Sequence, residues 1–188
     1  TAKEGLFQFE IGVQSTNAET LKEINRECQW SDIKERLVKL LELKNIHTHL
    51  DQIAGLPFED YSSLKRSFNE IIGLRPDHYQ TGILKVLYGT QMYENIEKYG
   101  LKYSKTEPYN IYANRYLSAE ELTEYEGVDQ SIDLIYNSGY FRHTLDYLFS
   151  VSDEHYDFFL EISRAFTMHG LSKAEKNFAR IFSIVGEF

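Results

Sequence analysis

The chain has 188 residues, 42% hydrophobic and 26% charged, enough to bury a sizeable core as one domain with an appendage or as two small domains. Its net charge is −9, and residues 115–188 hold 13 acidic side chains against 6 basic ones, which excludes the basic stripe of a nucleic-acid surface. No apolar run approaches the ~18 residues of a membrane span, no signal-peptide pattern is present, and the single cysteine, Cys28, excludes an internal disulfide and fits a reducing cytoplasm.

In chain order, residues 6–13 alternate with a dense apolar face (Phe7, Phe9, Ile11, Val13) and predict a strand. A chain that opens at once into what reads as a buried strand is expected to be a fragment. Ser15, Thr16 and Asn17 offer N-caps for a first helix over about residues 18–26. A second helix over about 31–43 carries the stripe Ile33, Leu37, Leu40 and Leu41. A strand at 46–54, a helix at 59–73, a strand at 78–86 and a short helix at 91–99 follow. This is a βαβαβ run, hence a parallel sheet with right-handed crossovers. Residues 103–117 are tyrosine-rich and poorly periodic, so extended or looping. Ser118 and Glu121 form a capping box that starts a helix running to about residue 137, before Gly139. Helices over about 140–150, 152–169 and 172–185 complete the chain. The organisation expected is an α/β part over 1–105, a linker over 106–117 and an all-helical region over 118–188.

The strand at 46–54 organises the rest. Alternation puts Ile46, Thr48 and Leu50 on one face and His47, His49 and Asp51 on the other. With helical patterns on both sides in the sequence, the strand is expected to be covered on both faces. An inward polar row must then be satisfied internally or line a site. Gly55 and Pro57 end the strand, and an aspartate near the carboxyl end of such a strand is where α/β folds place ligand chemistry.

Phe9-Glu10-Ile11-Gly12-Val13-Gln14-Ser15, the following Arg26, and Leu50-Asp51-Gln52-Ile53-Ala54-Gly55-Leu56-Pro57 resemble the later strands of a radical SAM barrel. The subgroup resembled holds oxygen-independent coproporphyrinogen oxidases and cobalamin-binding Fe-S oxidoreductases. Gln80 to Leu87, with Gly89-Thr90-Gln91-Met92 after them, resemble the sixth strand and its exit loop. The resemblance covers residues 6–105 and implies the second half of a partial (β/α)6 barrel, followed by a helical extension. It also implies that Gln14, Arg26 and Asp51 contact S-adenosylmethionine, with the backbone near Lys85 on the adenine side. An arginine fork matches a carboxylate, and glutamine and aspartate at strand ends can meet ribose hydroxyls or an amino group.

The departure from the family lies in the cluster. A 4Fe-4S cluster is held there by three cysteines on the first strand, and Cys28 alone cannot hold one. The second strand's glycine-rich motif is also missing. The implied protein is a piece of a longer oxidoreductase or methyltransferase acting on a small-molecule substrate. Its cluster ligands, and a cobalamin domain if cobalamin is used, would lie outside these residues, leaving this piece inert alone.

Simpler roles stand beside each assignment. Asp51 can cap the next turn, Arg26 can favour a helix C-terminus, and Gln14 can shape a turn. His47, His49 and Asp51 suggest a two-histidine, one-carboxylate metal site, but ligands spaced ~6–7 Å apart along one strand rarely converge. No metal ligands are therefore assigned, and Cys28 reads as a plain thiol. A rival from another class is a non-catalytic helical interaction module carried by the acidic tail on an α/β scaffold.

Overall fold

The structure is a computed structural model that describes residue 3, residues 5–171 and residues 177–187. Three strands, β1 (Phe7–Gln14), β2 (Ile46–Ala54) and β3 (His78–Ile83), form a parallel sheet in the order β1-β2-β3. Helices α1 (Ala18–Glu23) and α2 (Trp30–Leu41) connect the first pair, and α3 (Tyr61–Ile72) connects the second. The α/β class follows directly from that order.

α3 starts where Asp60 accepts a hydrogen bond from the Ser63 amide at 2.8 Å. Its stripe of Leu64, Phe68, Ile71 and Ile72 is fully buried. The sheet face beneath presents Thr48, Leu50, Gln52 and Ala54, all buried. Gln52 is the polar member of that face, and both ends of its amide are used. Its nitrogen donates to the Leu64 carbonyl at 3.1 Å, and its oxygen accepts from the Tyr79 hydroxyl at 2.5 Å. A buried amide so matched specifies the packing rather than weakening it.

Covering of β2 on both faces, as its sequence suggested, is not found among the described residues. On the second face Gln8, Glu10, His47 and Gln80 are exposed, and Gly12, His49, Asp51 and His78 are half-buried. The helices gather on one side, so the polar row looks onto an open surface.

β3 ends at Ile83, short of the strand expected over 78–86. The Leu84 amide still bonds the Ala54 carbonyl, but Lys85 then bridges to Asn110 and the Val86 amide donates to the Tyr109 carbonyl. The chain thus leaves the parallel sheet to pair with the tyrosine-rich stretch. That stretch contains β4 (Lys102–Tyr103) and β5 (Ile111–Ala113), an antiparallel pair. Ile111 lies over Gly55, whose φ of +92° and crowded Cα admit no side chain. The helix expected over 91–99 is two pieces, α4 (Gln91–Glu94) and α5 (Ile96–Tyr99). Asn95 between them turns its side-chain amide onto the Gln91 carbonyl at 2.8 Å, offering the backbone an alternative to helix.

The capping box of Ser118 and Glu121 starts α6 (Ala119–Ser131), which runs on as a π-helical segment, Ile132–Asn137. α7 (Arg142–Val151), α8 (His155–Met168) and α9 (Phe178–Val185) follow. Of the helix expected over 172–185, residues 172–176 lie outside the described residues. Among the described residues no helix is long and apolar enough to cross a membrane.

The tail shares its core with the sheet. The Phe68 ring on α3 meets Tyr79 of β3 at 5.2 Å, and Tyr156 and Phe159 of α8 at 5.1 and 6.0 Å. Asn137 reaches β3 from the π-helical segment, accepting from the Tyr79 amide at 3.0 Å and donating to its carbonyl at 2.9 Å. Phe68→Ala should therefore cost about 3–5 kcal/mol in urea unfolding. Far-UV circular dichroism and tyrosine fluorescence should shift together, because sheet and tail lose one shared contact.

Candidate functional site

β1 and β2 lie in register with Gly12 beside Asp51, so the two share the open face. Just beyond, the ladder bulges: the register skips Val13, and Gln14 pairs with Gln52. Gln14 takes a left-handed φ of 71°, which costs a non-glycine residue on the order of 1 kcal/mol or more. Its side chain folds back over Gly12. A Cβ on Gly12 would collide with Gln14 Nε2 and lie 3.5 Å from Arg26 Nη2. The bare glycine thus lets a glutamine amide and an arginine guanidinium meet above the strand.

Arg26 comes to this place from a loop, whereas the sequence suggested a helix running as far as residue 26. α1 closes early because Asn25 is left-handed at φ 60°. The Asn25 amide bonds the Lys22 carbonyl at 3.1 Å and the Arg26 amide bonds the Leu21 carbonyl at 2.8 Å, the two closing bonds of a Schellman end. The Asn25 side chain donates to Gln91 Oε1 at 2.9 Å, tying the loop to α4.

Two oxygens here are buried without a hydrogen-bond partner, Gln14 Oε1 and Asp51 Oδ1. An orphaned buried acceptor costs roughly 1–3 kcal/mol, so such atoms mark a place where a donor is wanted. Burial pushes the Asp51 carboxyl above the usual range. Glu10 adds to that rise, and His49 and His78 oppose it.

Three of the four residues singled out in the sequence therefore cluster around Gly12. Lys85 does not join them. It is exposed, bridged to Asn110, and borders a separate hollow of about 300 Å³ with Thr81, Tyr125 and Asp129. A further hollow of about 850 Å³ lies along α3 among Lys34, Arg66, Asn69 and Asp153, and holds none of the four.

The histidine rings touch in a row, edge-on for His47 and His49 and stacked for His49 and His78. His47 and His49 rings are 4.9 Å apart, and His49 lies on His78 of β3 at 4.5 Å. Burial and the neighbouring His49 lower the His78 pKa. Among the described residues no group of three or more His, Cys, Asp or Glu is arranged to hold a metal ion. Cys28 is a free, exposed thiol.

Sequence reading passed over Glu59, which is fully buried just before the N-cap of α3. Its Oε1 accepts from Ser15 Oγ at 2.5 Å and from Ser67 Oγ at 2.9 Å, while Oε2 has no partner. Burial pushes its pKa up to about 7 against the pull of the two serines. The signal available was a second acid placed ahead of the cap Asp60, with a serine eight positions on where α3 turns inward.

A parallel α/β protein with an open polar patch toward the carboxyl ends of β1 and β2 is the class that fold and site define. A family model described as a protein of unknown function (DUF4080) matches residues 97–188. No curated protein matches the chain. Among solved structures it is similar to Elp3 of the archaeon Methanocaldococcus infernus with an N-terminal deletion (1–46), at 23% identity and a TM-score of 0.46. That match covers 66% of this chain and 27% of the other. It is also similar to coproporphyrinogen III oxidase (HemN) from Escherichia coli, a radical SAM enzyme, at 19% identity and a TM-score of 0.41, over 66% of this chain and 33% of that one. The chain thus spans a third or less of the length of these structures.

Folding raises the Glu59 pKa from 4.5 to about 7, so between those pH values the folded state holds a proton that the unfolded chain has lost. Stability is fullest below that window and declines as pH rises through it, by up to roughly 3 kcal/mol at about 1.4 kcal/mol for each pH unit. Glu59→Gln removes this contribution. In urea unfolding from pH 5 to pH 8, the variant should gain stability relative to the native chain as pH rises.

Proposed function

We propose that the polar patch around Gly12 binds S-adenosylmethionine and that this chain supplies the cofactor-orienting strands of a radical SAM enzyme. The observation that carries the reading is the meeting of Gln14 and Arg26 over a bare glycine, in register with an Asp51 that has an unpartnered buried oxygen. The donor set suits the ligand. Arg26 offers a planar fork to the methionine carboxylate. Asp51 and Gln14 Oε1 offer acceptors to an ammonium or a ribose hydroxyl, and Gln14 Nε2 offers a donor. These residues bind and orient. Once bound and reduced, S-adenosylmethionine supplies the 5′-deoxyadenosyl radical that abstracts hydrogen in such enzymes.

The same test applied to a 4Fe-4S cluster fails. One exposed thiol does not fit a cluster that needs several thiolates, and the ligands would come from outside these 188 residues. The chain alone is then expected to bind and not to cleave. Cobalamin use, and methyl transfer or ring closure as the reaction, enter only through the sequence resemblance to cobalamin-binding relatives. The second reading, a helical interaction module, draws on α7, where Tyr147 and Val151 stand one turn apart at 71% and 60% exposed.

Calorimetric titration with S-adenosylmethionine decides between them. The native chain should bind, and Arg26→Ala and Asp51→Asn should each weaken binding about tenfold or more, the worth of one charge-assisted contact. Gly12→Ala, which evicts the Gln14 side chain, should do the same while the circular dichroism spectrum stays native. Absence of binding by the native chain, or equal binding by all three variants, overturns the proposal.

A further inference from the structure

We infer that Glu59 is a positioning residue for the polar patch, setting the turn that carries Gln14 by fixing the direction of two serine hydroxyls. The inference rests on the proposed cofactor site and adds to it a residue that touches no ligand.

Each serine hydroxyl has one proton and two lone pairs. Ser15 and Ser67 both give that proton to Glu59 Oε1, so their lone pairs must face elsewhere. Ser15 Oγ accepts from the Asn17 amide at 3.0 Å, and Ser67 Oγ accepts from the Thr16 amide at 3.1 Å. One carboxylate thereby orders, at one remove, the consecutive backbone amides of Thr16 and Asn17, which follow Gln14 and Ser15. Around this hub the same turn is laced to the exit of β2. The Asn17 side chain donates to the Phe58 carbonyl at 3.1 Å, and Thr20 Oγ1 donates to the Pro57 carbonyl at 2.9 Å.

The turn needs holding because Gln14 is left-handed, a conformation that persists only where its surroundings over-determine it. Glu59, Ser15, Ser67 and Thr20 have no exposed surface, so water cannot replace the two serine–Glu59 bonds or the Thr20–Pro57 bond without opening the core. The other charged groups acting on Glu59 are Arg66 and Asp60 of its own segment, and Tyr79 lies near it from β3. None of these is bonded to the carboxylate.

Glu59→Gln keeps an oxygen where Oε1 stands, and Glu59→Ala removes it. Two measurements on the 188-residue chain test the inference, at a temperature where circular dichroism shows every variant folded. In amide hydrogen exchange followed by NMR without ligand, Glu59→Ala should lose protection at Thr16 and Asn17 by about tenfold or more, and Glu59→Gln should retain it. Leu122→Ala, which removes a buried side chain on α6, controls for general loss of stability and should leave those two amides in step with the rest of the fold. In calorimetric titration with S-adenosylmethionine, Glu59→Ala should bind about tenfold more weakly than the native chain, with Glu59→Gln restoring affinity to within about threefold. Unchanged protection in Glu59→Ala overturns the inference. Loss in Glu59→Gln equal to that in Glu59→Ala overturns it as well, and so does native-like affinity in a Glu59→Ala chain that has lost protection. If the native chain binds no S-adenosylmethionine, the proposed function fails by itself, and the exchange measurement still decides the role of Glu59.

Discussion

Two strand exits stitched together by side-chain hydrogen bonds are the constraint on which the rest of this structure depends. The exits of β1 and β2 each hold a non-glycine residue in left-handed backbone, Gln14 in the first and Phe58, just after Pro57, in the second. Neither exit would hold its shape alone. Ser15, Asn17 and Thr20 from the first reach Phe58, Glu59 and Pro57 of the second, and Ser67 of α3 closes the group from below. Because the bonds to Glu59 and Pro57 are buried, the price of strain at Gln14 is met inside the fold, and the side chain is free to lie over Gly12.

One alternation along β2 produces both the core and the polar patch. Thr48, Leu50, Gln52 and Ala54 seat α3, while His49 and Asp51 look the other way. Moving the register by a single residue would put the histidines under Phe68 and the leucine in the open. The tail reinforces the choice from a distance, since Phe68 is held between Tyr79 of β3 and the rings of α8. The helical region is thus part of what fixes the sheet's sidedness.

What could be read from the chain was whatever is written locally. Period-2 runs marked β1 and β2, the Leu64–Phe68–Ile71 stripe marked α3, and Ser118 with Glu121 marked the start of α6. Within the site, Gln14 and Asp51 could be placed at neighbouring strand ends, because parallel pairing follows from the order of elements. Pairings between distant residues were not legible. β3 stops at Ile83 because Asn110 and Tyr109 compete for its backbone, and no pattern within residues 78–86 announces a competitor. Arg26 looked like the last residue of a helix because nothing local says that Asn25 turns left-handed. Lys85 was joined to the others by the resemblance, as part of the strand expected over 78–86, yet the chain has left the parallel sheet by then. Glu59 escaped notice because its meaning comes from Ser15, 44 positions earlier.

Asn137 has a consequence for how the sheet can be extended. By matching the amide and carbonyl of Tyr79 with one side-chain amide, it occupies the flank of β3 as a neighbouring strand would. That border of the sheet is sealed by its own chain, and recruitment of another strand there would first have to displace the π-helical segment. A strand added along β3 would have to match both backbone groups of Tyr79 before it gained any bond of its own.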